Sequence, residues 1–113
     1  MKFALLIWWN EVEGLARKPA DDAQEIAEHG NFVEALGPRI LGGQRLEPER
    51  KAARVKVRGG RRSVTDGPFA ETKEVLGGFY ILECASRDEA VEWAARCPSA
   101  AHGTVEVRPI WPV

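Results

Sequence analysis

With 113 residues and 16 Lys and Arg against 17 Asp and Glu, the chain has the length of one domain and a formal charge of −1. That balance excludes the global field of a nucleic-acid or anionic-membrane binder, and no long block of like charge forms a binding tail. Cys84 and Cys97 fit no common metal spacing and nothing suggests export, so a reduced cytoplasmic protein is expected.

The run from Lys2 to Trp9 is almost unbroken in its apolarity, too short to span a bilayer, and not followed by a small-residue cleavage site. It predicts a strand covered on both faces at the centre of a sheet. Trp8 and Trp9 then point to opposite faces, so either both pack in the core or at least one of them borders a pocket. A polar loop ends at Pro19, after which Asp21 or Asp22 caps a predicted helix that runs to about Leu36 and stops at Gly37-Pro38. Ala23, Ile26, Gly30, Val33 and Leu36 recur on one face of that helix. His29 joins the stripe, three residues after Ile26 and four before Val33, either as a satisfied core histidine or as an acid–base group.

Ile40 to Leu46 is interrupted by Gly42-Gly43 and predicts an edge strand, ended by Pro48. Ala53 to Arg58 alternates strictly, and Gly59-Gly60 predicts a two-residue hairpin turn. If Arg58 and Arg61 flank the turn, Val57 pairs with Arg62, Val55 with Val64 and Ala53 with Asp66. The basic residues Arg50, Lys51, Arg54, Lys56, Arg58, Arg61 and Arg62 are then the solvated side of the hairpin, with no reader motif to suggest nucleic acid. Asp66-Gly67-Pro68 is turn chemistry, which leaves Asp66 either tied down by that turn or held in a cleft.

Phe79 to Cys84 predicts a second central strand. Ser86 and Glu89 form a capping box at the start of a helix whose buried stripe is Ala90, Trp93, Ala94 and Cys97. That placement makes Cys97 a packed thiol, and His102 in the following loop is expected to be exposed. Thr104 to Ile110 gives the last strand.

This order predicts an α+β fold, a ferredoxin-like split βαβ sandwich with an inserted hairpin and both helices on one face of the sheet. The first and fourth main strands are apolar on both sides, yet no third helix is available to cover the other face. A second copy packing sheet against sheet is the economical cover, so a homodimer is expected.

The segment Asp66-Gly67-Pro68-Phe69-Ala70-Glu71-Thr72-Lys73-Glu74, followed by Gly77-Gly78-Phe79-Tyr80, resembles the signature of the YCII-related, DGPF-domain proteins. The opening strand Met1 to Ile7, the segment Leu41 to Pro48 and the close Val105 to Pro109 are similar to the same family, with Gln44 standing where a Glu is usual. The resemblance implies one domain over residues 1–113 and a dimeric α/β barrel of ferredoxin-like protomers. It implies little about activity, although some relatives occur beside extracytoplasmic-function sigma factors. A His/Asp pair has been proposed for more distant YciI-like proteins, and His29 with Asp66 are the positions that match it.

Two functions follow. In the enzymatic one His29 is a general acid or base oriented by Asp66, in a pocket near the signature where Trp8, Gly67, Pro68 and Phe69 contact a small molecule. In the other, the same pocket holds a ligand without chemistry, as a regulatory accessory protein would. No serine, threonine or cysteine sits in a recognisable nucleophile setting, the phosphate-loop and dinucleotide fingerprints are missing, and neither a metal nor a cofactor is expected. No nucleic-acid or membrane partner is expected either.

Overall fold

Alternation in the first apolar run sends Phe3, Leu5 and Ile7 to one side of strand β1, Lys2–Trp9, and Ala4 and Leu6 to the other. The computed structural model describes residues 1–69 and 73–112. β1 lies at the centre of an antiparallel four-stranded sheet, between β5, Val75–Glu83, and β6, Thr104–Pro109, with β2, Ile40–Arg45, at the edge beyond β5. The order is β2-β5-β1-β6. The signature's Ala70, Glu71 and Thr72 lie outside the described residues.

Helix α2, Pro19–Leu36, and helix α3, Arg87–Arg96, supply the cover. The core joins Phe3, Leu5 and Leu82 of the sheet to Phe32 and Leu36 of α2 and to Ala90, Trp93, Ala94 and Cys97 at α3. Full burial of Leu5, Leu36 or Leu82 stabilises the fold by about 1.5–3 kcal/mol each. The expected α3 stripe is therefore the observed one. Ser86 caps the helix by accepting from Glu89 N at 3.2 Å, and the Glu89 carboxylate accepts from Ala85 N at 3.1 Å, one residue before the cap.

Three expectations change. The loop after β1 contains a short helix α1, Glu11–Leu15, capped by Asn10, whose side chain accepts from Glu13 N. Helix α2 begins at Pro19 with no side-chain cap among the described residues, so neither Asp21 nor Asp22 performs that role. Its inward face is also rotated from the expected stripe: Ile26 is 56% exposed, while Asp22, Glu25 and His29 turn inward above the buried Phe32 and Leu36. The reason is what lies beneath. The C-terminal half of α2 packs on the sheet, whereas its N-terminal half spans a cavity that accepts polar groups.

Strands β3, Ala53–Arg58, and β4, Arg61–Asp66, form a separate two-stranded sheet. Val57 pairs with Arg62, Val55 with Val64 and Ala53 with Asp66, as the turn geometry predicts. Gly59 and Gly60 have φ of 57° and 76°, the positive pair that a two-residue I′ turn requires. Both Cys84 and Cys97 are buried free thiols, and burial raises the pKa of each. Among the described residues no helix is long and apolar enough to cross a membrane.

Candidate functional site

The N-terminal half of α2, helix α1 and the open end of the sheet enclose a cavity of about 560 Å³. Its wall on the strand side is Ile7 and Trp9 of β1 with Tyr80 of β5, all on the helix-bearing face. Trp9 is held in place by two glycines. A methyl group on Gly14 would overlap its six-membered ring, and one on Gly77 would lie 2.6 Å from its Cδ1 and Nε1. The indole thus stands in a slot between α1 and β5, and its buried Nε1–H has no hydrogen-bond partner among the described residues.

His29 reaches the cavity from α2. Its Nδ1 lies 2.7 Å from the Tyr80 hydroxyl and its Nε2 3.0 Å from Ser99 Oγ, and the Tyr80 ring stacks on the imidazole. Ser99 comes from the 3-10 turn Pro98–Ala101 that follows α3, where it is 9% exposed. Burial lowers the His29 pKa, with Glu25 and Glu28 pulling the other way and Arg45 and His102 adding to the depression. The imidazole is therefore neutral at pH 7. Burial pushes the Tyr80 phenol up to about 12, so it keeps its proton.

At the rim, Glu25 accepts from Arg17 and lies 2.7 Å from His102 Nε2. Burial opposes its ionisation, but the hydrogen bonds from His102 and Arg17 prevail and hold the carboxyl below its ordinary value. Arg45 of β2 faces Asp22 of α2 at 3.8 Å, which ties the sheet edge to the helix above the cavity.

The residues singled out in the sequence divide. His29 lines the cavity; Asp66, Trp8, Gly67, Pro68 and Phe69 are not among its lining residues. His29 is paired with Tyr80 and Ser99, and Asp66 closes the exposed β3–β4 ladder opposite Ala53, so the structure does not bring the two together. Trp8 lies on the opposite face of β1, where its Nε1 donates to Glu106 Oε1 at 3.0 Å.

The signature turn instead anchors the hairpin. Gly67 N donates to Ala52 O at 2.8 Å, a methyl on Gly67 would overlap the Glu49 carbonyl, and Phe69 N donates to the Glu49 carboxylate at 3.2 Å. Glu49 N in turn donates to Glu11 of α1 at 3.1 Å, and the Arg54 guanidinium covers the Phe69 ring at 4.1 Å. This chain of contacts joins the signature to α1 without placing it in the cavity.

Sequence reasoning missed Tyr80, Ser99, Glu25 and Arg17 as site residues. A signal existed for the α1 wall, since Asn10 precedes Glu13 at capping distance; none existed for Ser99 in an irregular turn. His102, expected to be exposed, has a 53% exposed side chain yet borders the cavity through Glu25.

Comparison with known proteins agrees with this arrangement at the level of fold and family. An uncharacterised protein of Rhizobium meliloti (strain 1021) is 39% identical over 118 residues, covering 97% of this chain and 92% of that one. A solved structure of 5-chloro-2-hydroxyhydroquinone dehydrochlorinase from Burkholderia phenoliruptrix AC1100, in complex with 2,5-dihydroxybenzoquinone, shares the fold with a TM-score of 0.56. It is 18% identical and covers 98% of this chain and 94% of its own. The YCII-related domain matches residues 1–113 from end to end, and the chain belongs to that family.

Proposed function

We propose that the chain binds a small, largely apolar, ring-bearing molecule in the cavity beneath α1 and α2, and exchanges a proton with it at the His29 site. The observation that carries this is an imidazole, half-buried in an aromatic-walled cavity, with a hydroxyl on each ring nitrogen. An uncharged imidazole carries one protonated and one free ring nitrogen, so it can accept a proton at one and give a proton from the other, as general acid–base catalysis requires. Trp9, Ile7 and Tyr80 offer flat apolar surface, while Ser99 and Tyr80 offer the few convergent polar atoms that fix a ligand's orientation.

The dehydrochlorinase holds a six-membered ring bearing hydroxyl and carbonyl oxygens, a size class that this cavity could accommodate. Thermal denaturation with 2,5-dihydroxybenzoquinone and a set of small hydroxylated aromatics tests the reading. A saturable rise in midpoint that is lost in Trp9→Ala supports it, and no response to any member of the set counts against it.

A non-catalytic binder is the second reading. It is favoured by the fact that both His29 nitrogens already have partners within the protein.

The assembly we propose is a homodimer built on the helix-free face of the sheet, giving a dimeric α/β barrel of ferredoxin-like protomers. The strand order β2-β5-β1-β6 with an inserted hairpin fits the split βαβ form of that protomer. Pairing Ala4 with Ile81 and Leu6 with Phe79 puts four apolar residues on that face. All four are only partly buried in the single chain. A second copy brings the same face, and Leu6→Asp should convert a dimer to a monomer in light scattering.

A further inference from the structure

Tyr80, His29 and Ser99 form one hydrogen-bonded line along the cavity, joined at 2.7 and 3.0 Å. Counting hydrogens gives that line two arrangements. In the first, Tyr80 O–H donates to Nδ1 and Nε2–H donates to Ser99 Oγ, which leaves the Ser99 proton free for the cavity. In the second, Ser99 O–H donates to Nε2 and Nδ1–H donates to the Tyr80 oxygen, which leaves the Tyr80 proton free. A carboxylate on one ring nitrogen would select a single tautomer. Among the described residues none does so: Glu25, the acidic neighbour with most influence on His29, is engaged by Arg17 and His102. Tyr80 and Ser99 both line the cavity, and their hydroxyls lie on the two different ring nitrogens of the imidazole.

We propose that Tyr80, His29 and Ser99 are a proton relay that takes a proton from one atom of a bound molecule and returns another to a second atom. The cavity would thereby catalyse tautomerisation of a small hydroxylated enone or quinone. This rests on the pocket reading above and adds a reaction class to it.

From the second arrangement, the ligand hydroxyl gives its proton to Ser99 Oγ while the Ser99 proton passes to Nε2. Nδ1–H passes to the Tyr80 oxygen, and the Tyr80 proton goes to a ligand carbon. The electron pair of the ligand O–H bond becomes the new C=O π bond, and the C=C π pair forms the new C–H bond. One O–H and one C=C are lost, one C=O and one C–H are gained, and the relay ends in its first arrangement. The reverse passage, or exchange with water, resets it. No oxidant, reductant or co-reactant enters.

Two measurements decide it. The first needs no ligand: the ring ¹⁵N shifts of His29 in the free protein should be intermediate between protonated and unprotonated nitrogen, because both tautomers close the line. Ser99→Ala or Tyr80→Phe should resolve them toward one tautomer, and a wild-type ring locked in one tautomer would overturn the relay.

The second uses 2,5-dihydroxybenzoquinone in D₂O, whose ring C–H exchanges only through its keto tautomer. Wild type should accelerate the loss of that proton signal. Ser99→Ala and Tyr80→Phe should each reduce the acceleration by about 10²-fold, the scale of one acid–base contribution, and the double variant should be no worse than either. Acceleration that survives in either single variant, or binding of the compound without acceleration, would sink the proposal. Absence of binding would instead remove the pocket reading, leaving the ring shifts to decide the relay alone.

Discussion

Tyr80 holds His29 in two ways at once: its hydroxyl lies 2.7 Å from Nδ1, and its ring stacks on the imidazole with centroids 5.9 Å apart and planes 26° apart. Phe32 meets the same Tyr80 ring edge-on at 5.5 Å, so the phenol is anchored from the core side. Tyr80→Phe keeps both ring contacts and should cost about 1 kcal/mol, the scale of one hydrogen bond. Tyr80→Ala empties the space beneath α2 and should cost at least about 3 kcal/mol. Urea unfolding of the two variants separates the hydroxyl from the ring.

The lowered His29 pKa makes stability depend on pH in a definite direction. Unfolded His29 returns to the ordinary value near 6.5, so between that value and the lower folded one the unfolded chain binds more protons. Stability should therefore fall as pH drops below 6.5 toward the folded pKa, and be recovered above it. His29→Gln should remove that slope while leaving the acid limb due to carboxylates such as Glu25. Denaturant midpoints from pH 8 to pH 4 supply the comparison.

Gly77 and Gly14 should be intolerant for a reason that is local to Trp9. A methyl on either intrudes on the indole, and forcing it in should cost about 1–3 kcal/mol and reduce the cavity. Gly30, with nothing among the described residues near its missing Cβ, is the control: Gly30→Ala should stabilise α2 by up to about 1 kcal/mol. Melting curves and Trp fluorescence read both outcomes.

Gly67→Ala should loosen the hairpin by displacing the Glu49 carbonyl, again at about 1–3 kcal/mol, and leave the His29 resonances in place. Asp66→Asn should leave the His29 titration unchanged, because the charges that act on His29 are Glu25, Glu28, Arg45 and His102. A fall in the His29 pKa on Asp66→Asn would mean that the two residues are coupled after all.

The parts of the fold legible in the sequence were those with a strict period. The hairpin register followed from alternation around Gly59-Gly60, and the α3 stripe from Ala90, Trp93, Ala94 and Cys97. Helix α2 misled because its N-terminal half covers a cavity: Ile26 stays largely exposed at the cavity's border, and Glu25 turns inward without loss of packing. His29 was legible from its spacing, since it lies on the inward side under either phase. Its partners were not. Tyr80 reads as one more member of an apolar strand, and Ser99 sits in a 3-10 turn whose position over the sheet depends on where α3 ends. The signature drew attention to Asp66 and Phe69, but Asp66 pairs with Ala53 in the hairpin ladder, and the turn after it is held by Gly67 N on Ala52 O and Phe69 N on the Glu49 carboxylate.

The most direct test of a ligand site at His29 is amide chemical-shift mapping during titration with 2,5-dihydroxybenzoquinone and the hydroxylated aromatic set. Saturable changes should appear at Ile26, His29, Gly43, Gly77 and Ser99, which border the cavity, with Gly67 and Phe69 unmoved. Saturable changes confined to Gly67, Phe69 and the hairpin, or no saturable change with any compound, would contradict the assignment.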